Sequence, residues 1–237
     1  MNIYTYYEDV KFNKQTELLA IWEKSWKRNG FNPIILGRKD AEKSSLYDKY
    51  YEFVQRVHRK ISDEELPDGG YWLAAQLEIV AFTTVDCPSY MSDYDIINKS
   101  FYETSEVSSK LHWRDNCCSC FASGDGNSWK NYALFLMDNE DSIVEWCLQE
   151  KEKTKRKTFG DQDFLIAIHE IGLDKNVFRM SRELAMCEKY FPKQKSKHRT
   201  YHISHRNMHE IKEKYTKYKD HDREELRILM GEEILCT

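Results

Sequence analysis

The chain opens on β-branched and aromatic residues, Asn2-Ile3-Tyr4-Thr5-Tyr6-Tyr7, which run straight into Glu8-Asp9. That pattern predicts a strand ending in a polar loop. Leu18, Leu19, Trp22 and Trp26 then recur at helical spacing with Lys24, Lys27 and Arg28 off the stripe. With Asn13 as a cap and Gly30 just past the end, they predict a helix over about 14–29. The apolar run Asn32-Pro33-Ile34-Ile35-Leu36 predicts a second strand. Strand, helix and strand in so short a span form a βαβ unit, which implies a parallel sheet with ligands at the carboxyl ends of its strands. Thr5 to Glu8 and Gly37 to Asp40 then fall on the ligand side.

The remaining pattern continues the alternation. A helix is expected over about 40–60, with Tyr47, Tyr50, Tyr51, Phe53 and Val54 as its core contacts, and a breaker follows at 63–70. Helix resumes over 71–80, and 88–91 is extended. The segment 112–126 reads as a strand closed by a Gly124-Asp125-Gly126 turn, placed to face the active-site side. Residues 131–137 look strand-like. Asn139 or Asp141 caps a helix carrying Ile143, Val144, Trp146 and Cys147. Asp161 is expected to cap another, whose apolar residues Phe164, Leu165, Ile168 and Ile171 stop at Gly172. A charged helix over 208–228 ends the pattern.

Composition narrows the class. At 237 residues and 41% hydrophobic, with charges breaking every apolar run, the chain suits one large globular α/β domain and excludes a disordered chain or a membrane span. The seven cysteines, at 87, 117, 118, 120, 147, 187 and 236, are odd in number and scattered. With no secretory signal at the N-terminus, they point to a cytoplasmic protein rather than a disulfide framework. Cys117-Cys118-x-Cys120 near His112 lacks the paired spacing of structural zinc sites, so buried cysteines in a strand are expected. The net charge of −4 gives no global basic field, although residues 151–157 and 193–199 are locally basic.

No glycine-rich phosphate loop follows the first strand, so a bound phosphate must be held some other way. Ser92-Asp93-Tyr94-Asp95 supplies one. Two carboxylates one residue apart, after an extended run, suit a divalent cation that holds a phosphorylated donor. Asp161-Gln162-Asp163 is a second acidic triplet, and His202 and His205 offer an imidazole ligand.

These features follow an order that resembles GT-A-type nucleotide-sugar glycosyltransferases, the small capsular-polysaccharide and phage-encoded enzymes and, distantly, the glycogenin-like family. The resemblance runs over roughly residues 2–205 and rests on seven features: the Tyr4-Thr5-Tyr6-Tyr7 strand; the Trp22–Trp26 helix; Asn32-Pro33-Ile34-Ile35-Leu36; Tyr71-Trp72-Leu73-Ala74; Ser92-Asp93-Tyr94-Asp95; Asp161-Gln162-Asp163; and His202. It implies a single α/β, GT-A-like (Rossmann-related) domain over 1–207 with a mostly parallel central sheet, and a helical C-terminal tail over 208–237. It also implies a nucleotide-sugar donor held by Thr5, Tyr6, Tyr7 and Asp93. Mn²⁺ or Mg²⁺ would sit on Asp93, Asp95 and His202 or His205, with Asp161, Gln162 and Asp163 beside the sugar and acceptor. Retention of configuration is the expected outcome, and the acceptor is a glycan, a protein or a hydroxymethylated base of phage DNA.

Three departures stand out. No basic residue lies near Gly70 or Tyr71, where the family's pre-motif helix supplies one. No Lys-Pro-Trp follows the histidines, which leaves the diphosphate contact to Arg206 or Lys197. The cysteine-rich 112–126 segment has no counterpart and is assigned to acceptor binding. The competing expectation is a non-catalytic nucleic-acid-binding or interaction protein built on the basic runs 151–157 and 193–199.

Overall fold

In the first strand, β1 (Asn2–Tyr6), Ile3 enters one hydrophobic cluster while Tyr4 and Tyr6 enter another, so alternate side chains leave opposite faces of the sheet. The structure, a computed structural model, describes residues 1–10, 15–102, 107, 109–115, 118–172, 179–180, 187–189, 192 and 199–236. β1 lies parallel to β2 (Asn32–Leu36), in register from Asn2 opposite Asn32 to Tyr6 opposite Leu36. The helix between them, α1 (Thr16–Lys27), is followed by Gly30 at φ +84°, a left-handed turn that glycine takes without steric cost. The expected Asn13 cap lies outside the described residues.

On its other side β1 pairs in parallel with β3 (Ser89–Ser92). Beyond β3 the direction reverses. β5 (His112–Asp115) and β6 (Cys118–Gly124) form a hairpin, β6 runs antiparallel to β3, and β7 (Arg179–Met180) lies parallel to β5. The order β2-β1-β3-β6-β5-β7 is therefore a mixed sheet rather than the mostly parallel one expected. The reason is local: the short connection within the cysteine-rich segment permits an antiparallel hairpin, whereas a parallel pair needs a long crossover. A second, small sheet has β9 (Thr200–His202) between β4 (Ile96–Asn98) and β8 (Cys187–Lys189).

The helices cover both faces. α2 (Arg38–Ala41) and α3 (Tyr47–Ser62) replace the single helix expected over 40–60. With α4 (Tyr71–Phe82), α5 (Gly126–Asp138), α6 (Glu140–Thr154) and α7 (Asp161–Glu170), α3 buries Phe53, Leu77, Trp129 and Phe164 on one face. The other face is closed by α1, the small sheet, α8 (His205–Lys214) and α9 (Arg223–Cys236), through Trp22, Trp26, Tyr201 and Met230. The charged tail is thus two helices joined through a 3₁₀ turn at Thr216–Tyr218, with α9 packed against α1.

Residues 131–137 are helical, not a strand. Trp129, Tyr132, Ala133 and Leu136 are all buried at the i, i+3, i+4, i+7 spacing of a helix. Asp125 caps α5 by accepting from Ser128 N at 2.8 Å. The Gly124–Gly126 turn does not reach the active-site side: a Cβ on Gly126 would meet Thr83 O at 2.4 Å and Val85 O at 2.6 Å. Cys120 is buried within β6, as expected, and is disulfide-bonded, a cross-link that the scattered cysteine pattern did not lead one to expect; Cys87, Cys147 and Cys236 are free. Among the described residues no helix is long and apolar enough to cross a membrane.

Candidate active site

Asp93 leaves the carboxyl end of β3, Tyr94 and Asp95 turn, and β4 begins at Ile96. Backbone bonds fix this turn on three sides. Ile96 N donates to Asp93 O at 3.0 Å, Asp93 N to Cys120 O at 2.9 Å and Ile203 N to Asp95 O at 3.0 Å. The α1 tryptophans brace the strands at either end, Trp22 Nε1 donating to Ser92 Oγ at 3.0 Å and Trp26 Nε1 to Ile96 O at 3.1 Å. The helical stripe of the sequence is therefore also the backing of the motif.

Pairing of β4 with β9 sets His202 opposite Ile96 and so beside Asp95, although 107 residues separate them in the chain. One ligand atom from each of Asp93, Asp95 and His202 lies within 4.8 Å of the others. Arg227, 2% exposed, reaches in from α9 and donates through Nη2 to Asp95 Oδ2 at 2.8 Å; its Nε donates to Ile203 O at 3.0 Å. The other oxygen, Asp95 Oδ1, is buried and faces His202 Nε2, 3.3 Å away.

The charges are closely balanced. Burial would raise the Asp95 carboxyl, but the adjacent His202 and Arg227 outweigh it and hold the group well below the usual carboxylate range. At Asp93 burial and the Asp95 charge win over His202, and its pKa rises to about 7. The half-buried Asp93 and buried Asp95 carboxylates, which repel one another, and the His202 imidazole form an O,O,N donor set. That set fits a divalent cation of the Mg²⁺ or Mn²⁺ kind, whose remaining positions suit phosphate oxygens. The carboxylates do not serve as local turn caps, the structural use such a pair most often has.

The turn forms one wall of a cleft of about 550 Å³. Tyr6, Tyr7 and Glu8 enter from the carboxyl end of β1, His202, Ser204 and Arg227 from the small sheet and C-terminal helices, and Tyr71, Trp72, Glu78, Asp161, Gln162 and Asp163 from α4 and α7. Tyr6, Tyr7, Asp93, Asp95, Asp161, Gln162, Asp163 and His202, chosen from sequence, thus meet in one cleft. Thr5 does not join them: its side chain is buried within β1 and its hydroxyl makes no hydrogen bond. His205 heads α8, and its side chain, that of Arg206 and all of Lys197 lie outside the described residues.

The second triplet is divided in its use. Gly160, not Asp161, is the N-cap of α7. Asp163 accepts from Gly160 N at 2.8 Å and from Arg156 Nη2 at 2.5 Å, so both its oxygens hold the start of the helix. Asp161 stays in the cleft. The Arg156 guanidinium also lies over the Phe159 ring at 4.9 Å, and Lys153 pairs with Glu150 at 2.8 Å. The basic run 151–157 is in these places engaged with its own fold. The run 193–198 lies outside the described residues.

Sequence reasoning missed two residues. Glu78 is the lone charged residue of α4, and that isolation in an apolar helix was a readable signal. Burial first, then the Asp161 and Asp93 charges, push its carboxyl well above the ordinary value. Arg227 gave no such signal, since a basic residue in a charged C-terminal helix is ordinary.

Comparison with known proteins adds little to this geometry. A family model described as a domain of unknown function (DUF8765) matches residues 1–75, from β1 into the start of α4. No curated protein matches the chain. The crystal structure of the apo-form glycosyltransferase GlyE of Streptococcus pneumoniae TIGR4 superposes with a TM-score of 0.40 at 11% identity. The match covers 76% of this chain and 45% of that one, so the chain spans less than half the length of that protein.

Proposed function

We propose that the protein is a metal-dependent glycosyltransferase, moving a hexosyl or pentosyl group from a nucleoside-diphosphate sugar to a hydroxyl acceptor. One observation carries this reading: Asp93, Asp95 and His202 converge at the end of β3, each offering a ligand atom within 4.8 Å of the others, with His202 Nε2 3.3 Å from the buried Asp95 Oδ1. These three residues would hold Mn²⁺ or Mg²⁺. Such an ion, when bound, supplies Lewis-acid stabilisation for the negative charge that gathers on a departing diphosphate.

The chain's own residues take the other roles. Arg227 fixes Asp95 by one oxygen, and the second, beside His202, would serve the cation. Tyr6 and Tyr7 flank the nucleotide at the end of β1, and Asp93 is placed to reach either the ion or the ribose. Asp161 and Gln162 contact the donor sugar or acceptor from α7, while Asp163 keeps α7 in position. Cytoplasmic location and retention of configuration stay part of this reading, and the acceptor is a glycan, a protein or a hydroxymethylated DNA base.

The test is nucleotide-sugar turnover, measured as release of nucleoside diphosphate across a donor panel with Mn²⁺. The reading expects turnover with at least one donor, its loss in EDTA and its recovery on adding Mn²⁺. Turnover indifferent to EDTA, or none with any donor, would contradict it.

A further inference from the structure

A soluble fold buries its large aromatic side chains unless something else covers them. Among the described residues the exposed aromatics are Tyr71 at 51%, Trp72 at 41% and Tyr102 at 55%. Tyr102 is covered by the Arg199 guanidinium, 5.3 Å from its ring centroid. Among the described residues no guanidinium or ammonium covers Tyr71 or Trp72. They are consecutive, they open α4, and both line the cleft. Their rings meet edge to face, centroids 5.3 Å apart at 74°, which makes a corner of two aromatic surfaces.

The corner is held in place. The Trp72 ring rests on the backbone at Gly160, so closely that a Cβ there would stand 2.9 Å from Cζ3. Gly160 immediately precedes Asp161, so the aromatic corner adjoins the start of α7, and both Asp161 and Glu78 line the same cleft. Among the described residues neither the indole N–H of Trp72 nor the Tyr71 hydroxyl is engaged in a hydrogen bond, and both side chains line the cleft with Asp161 and Glu78.

We propose that Tyr71 and Trp72 form the acceptor platform, and that the acceptor is a neutral saccharide. The proposal rests on the glycosyltransferase reading above and deepens it. A pyranose ring has an apolar C–H face suited to an aromatic plane and hydroxyl edges suited to carboxylates, and this wall offers both. The cation on that wall, Arg156, is already paired with Asp163 at 2.5 Å, which leaves little positive charge there to draw in a polyanion. A DNA acceptor would find little here to hold its phosphates.

Saturation-transfer NMR of the full chain with Mg²⁺, maltose, lactose and cellobiose tests the proposal, alongside calorimetry with Mg²⁺ and UDP or GDP. At least one disaccharide is expected to receive saturation on its ring C–H protons. Trp72→Ala and Tyr71→Ala are each expected to weaken that binding about tenfold, the scale of one lost aromatic face, with Trp72→Phe retaining most of it. Nucleotide affinity stays at the wild-type value. The proposal is overturned by equal disaccharide binding in both alanine variants, by no disaccharide binding in a wild-type chain that binds nucleotide, or by a parallel loss of nucleotide affinity, which would make the corner a base-stacking site. It is also overturned if a DNA duplex binds wild type and loses affinity on Trp72→Ala. If wild type binds no nucleotide, the glycosyltransferase reading has failed first. Melting temperatures are compared throughout, and where Trp72→Ala does not fold, Tyr71→Ala carries the comparison.

Discussion

Asp93-Tyr94-Asp95 and Asp161-Gln162-Asp163 have the same acidic spacing and opposite fates. The first lies in a turn between two strands, where backbone bonds from Ile96, Asp93 and Ile203 fix the chain and leave both carboxylates to face inward beside His202 and Arg227. The second lies in the first turn of a helix, where orphan N–H groups need acceptors, and Asp163 is taken for that purpose. Backbone context, not spacing, decides whether an acidic pair becomes a cation site or a helix start.

The largest effect expected from breaking this contrast is at Asp95. Asp95→Ala would remove a ligand of the proposed cation and the closest carboxylate of the buried Arg227 guanidinium, leaving it Glu224 at 3.4 Å. Turnover should fall by about 100-fold or more, and chemical denaturation should show a loss of about 3 kcal/mol. Unchanged stability would mean that the Asp95–Arg227 pair does not hold the turn. Next is Asp161→Ala, for which kinetics should show about a 100-fold loss from misplaced sugar, while stability changes by less than about 1 kcal/mol. Asp163→Ala should invert that pattern, with an unfolding free energy from chemical denaturation lowered by about 1–2 kcal/mol. Equal behaviour of the two variants would dissolve the distinction between them.

The smallest expected effect is one of pH. His58 on α3, 1% exposed, bonds through Nε2 to Phe159 O at 2.9 Å and so steadies the approach to Gly160 and Asp161. Burial, only partly offset by the Phe159 carbonyl and Asp163, lowers its pKa from the ordinary 6.5. Below that value the unfolded chain binds a proton that the folded chain refuses, so stability falls as pH drops through about 6.5 and is level above it. The slope cannot exceed about 1.4 kcal/mol per pH unit, and His58→Gln should flatten it in thermal melts from pH 5 to 8.

Much of this arrangement was legible because it depends on local chemistry. The β1-α1-β2 unit followed from periodicity, and Trp22 and Trp26 were readable as a buried stripe, though not as donors to the strands around the motif. Asp93 and Asp95 were readable from their place after an extended run. What could not be read depends on long-range pairing. Nothing near His202 says that β9 will lie against β4, and nothing near Arg227 says that α9 will deliver it to Asp95. Residues 131–137 were misread because a short apolar run fits strand or helix alike, and the capping Asp125 with the helical spacing from Trp129 was the deciding signal. Glu78 was available to a reader who asked why an apolar helix carries one acid.

The account rests on a cation held by the first triplet and not by the second. Mn²⁺ titration followed by electron paramagnetic resonance, on wild type and on Asp93→Ala, Asp95→Ala, His202→Ala, Asp161→Ala and Asp163→Ala, reads this directly. The account predicts one ion per chain in wild type, retained in both variants of the second triplet and weakened at least about tenfold in each variant of the first group. Wild-type Mn²⁺ affinity in the Asp93 and Asp95 variants, or its loss with Asp161→Ala alone, would contradict it.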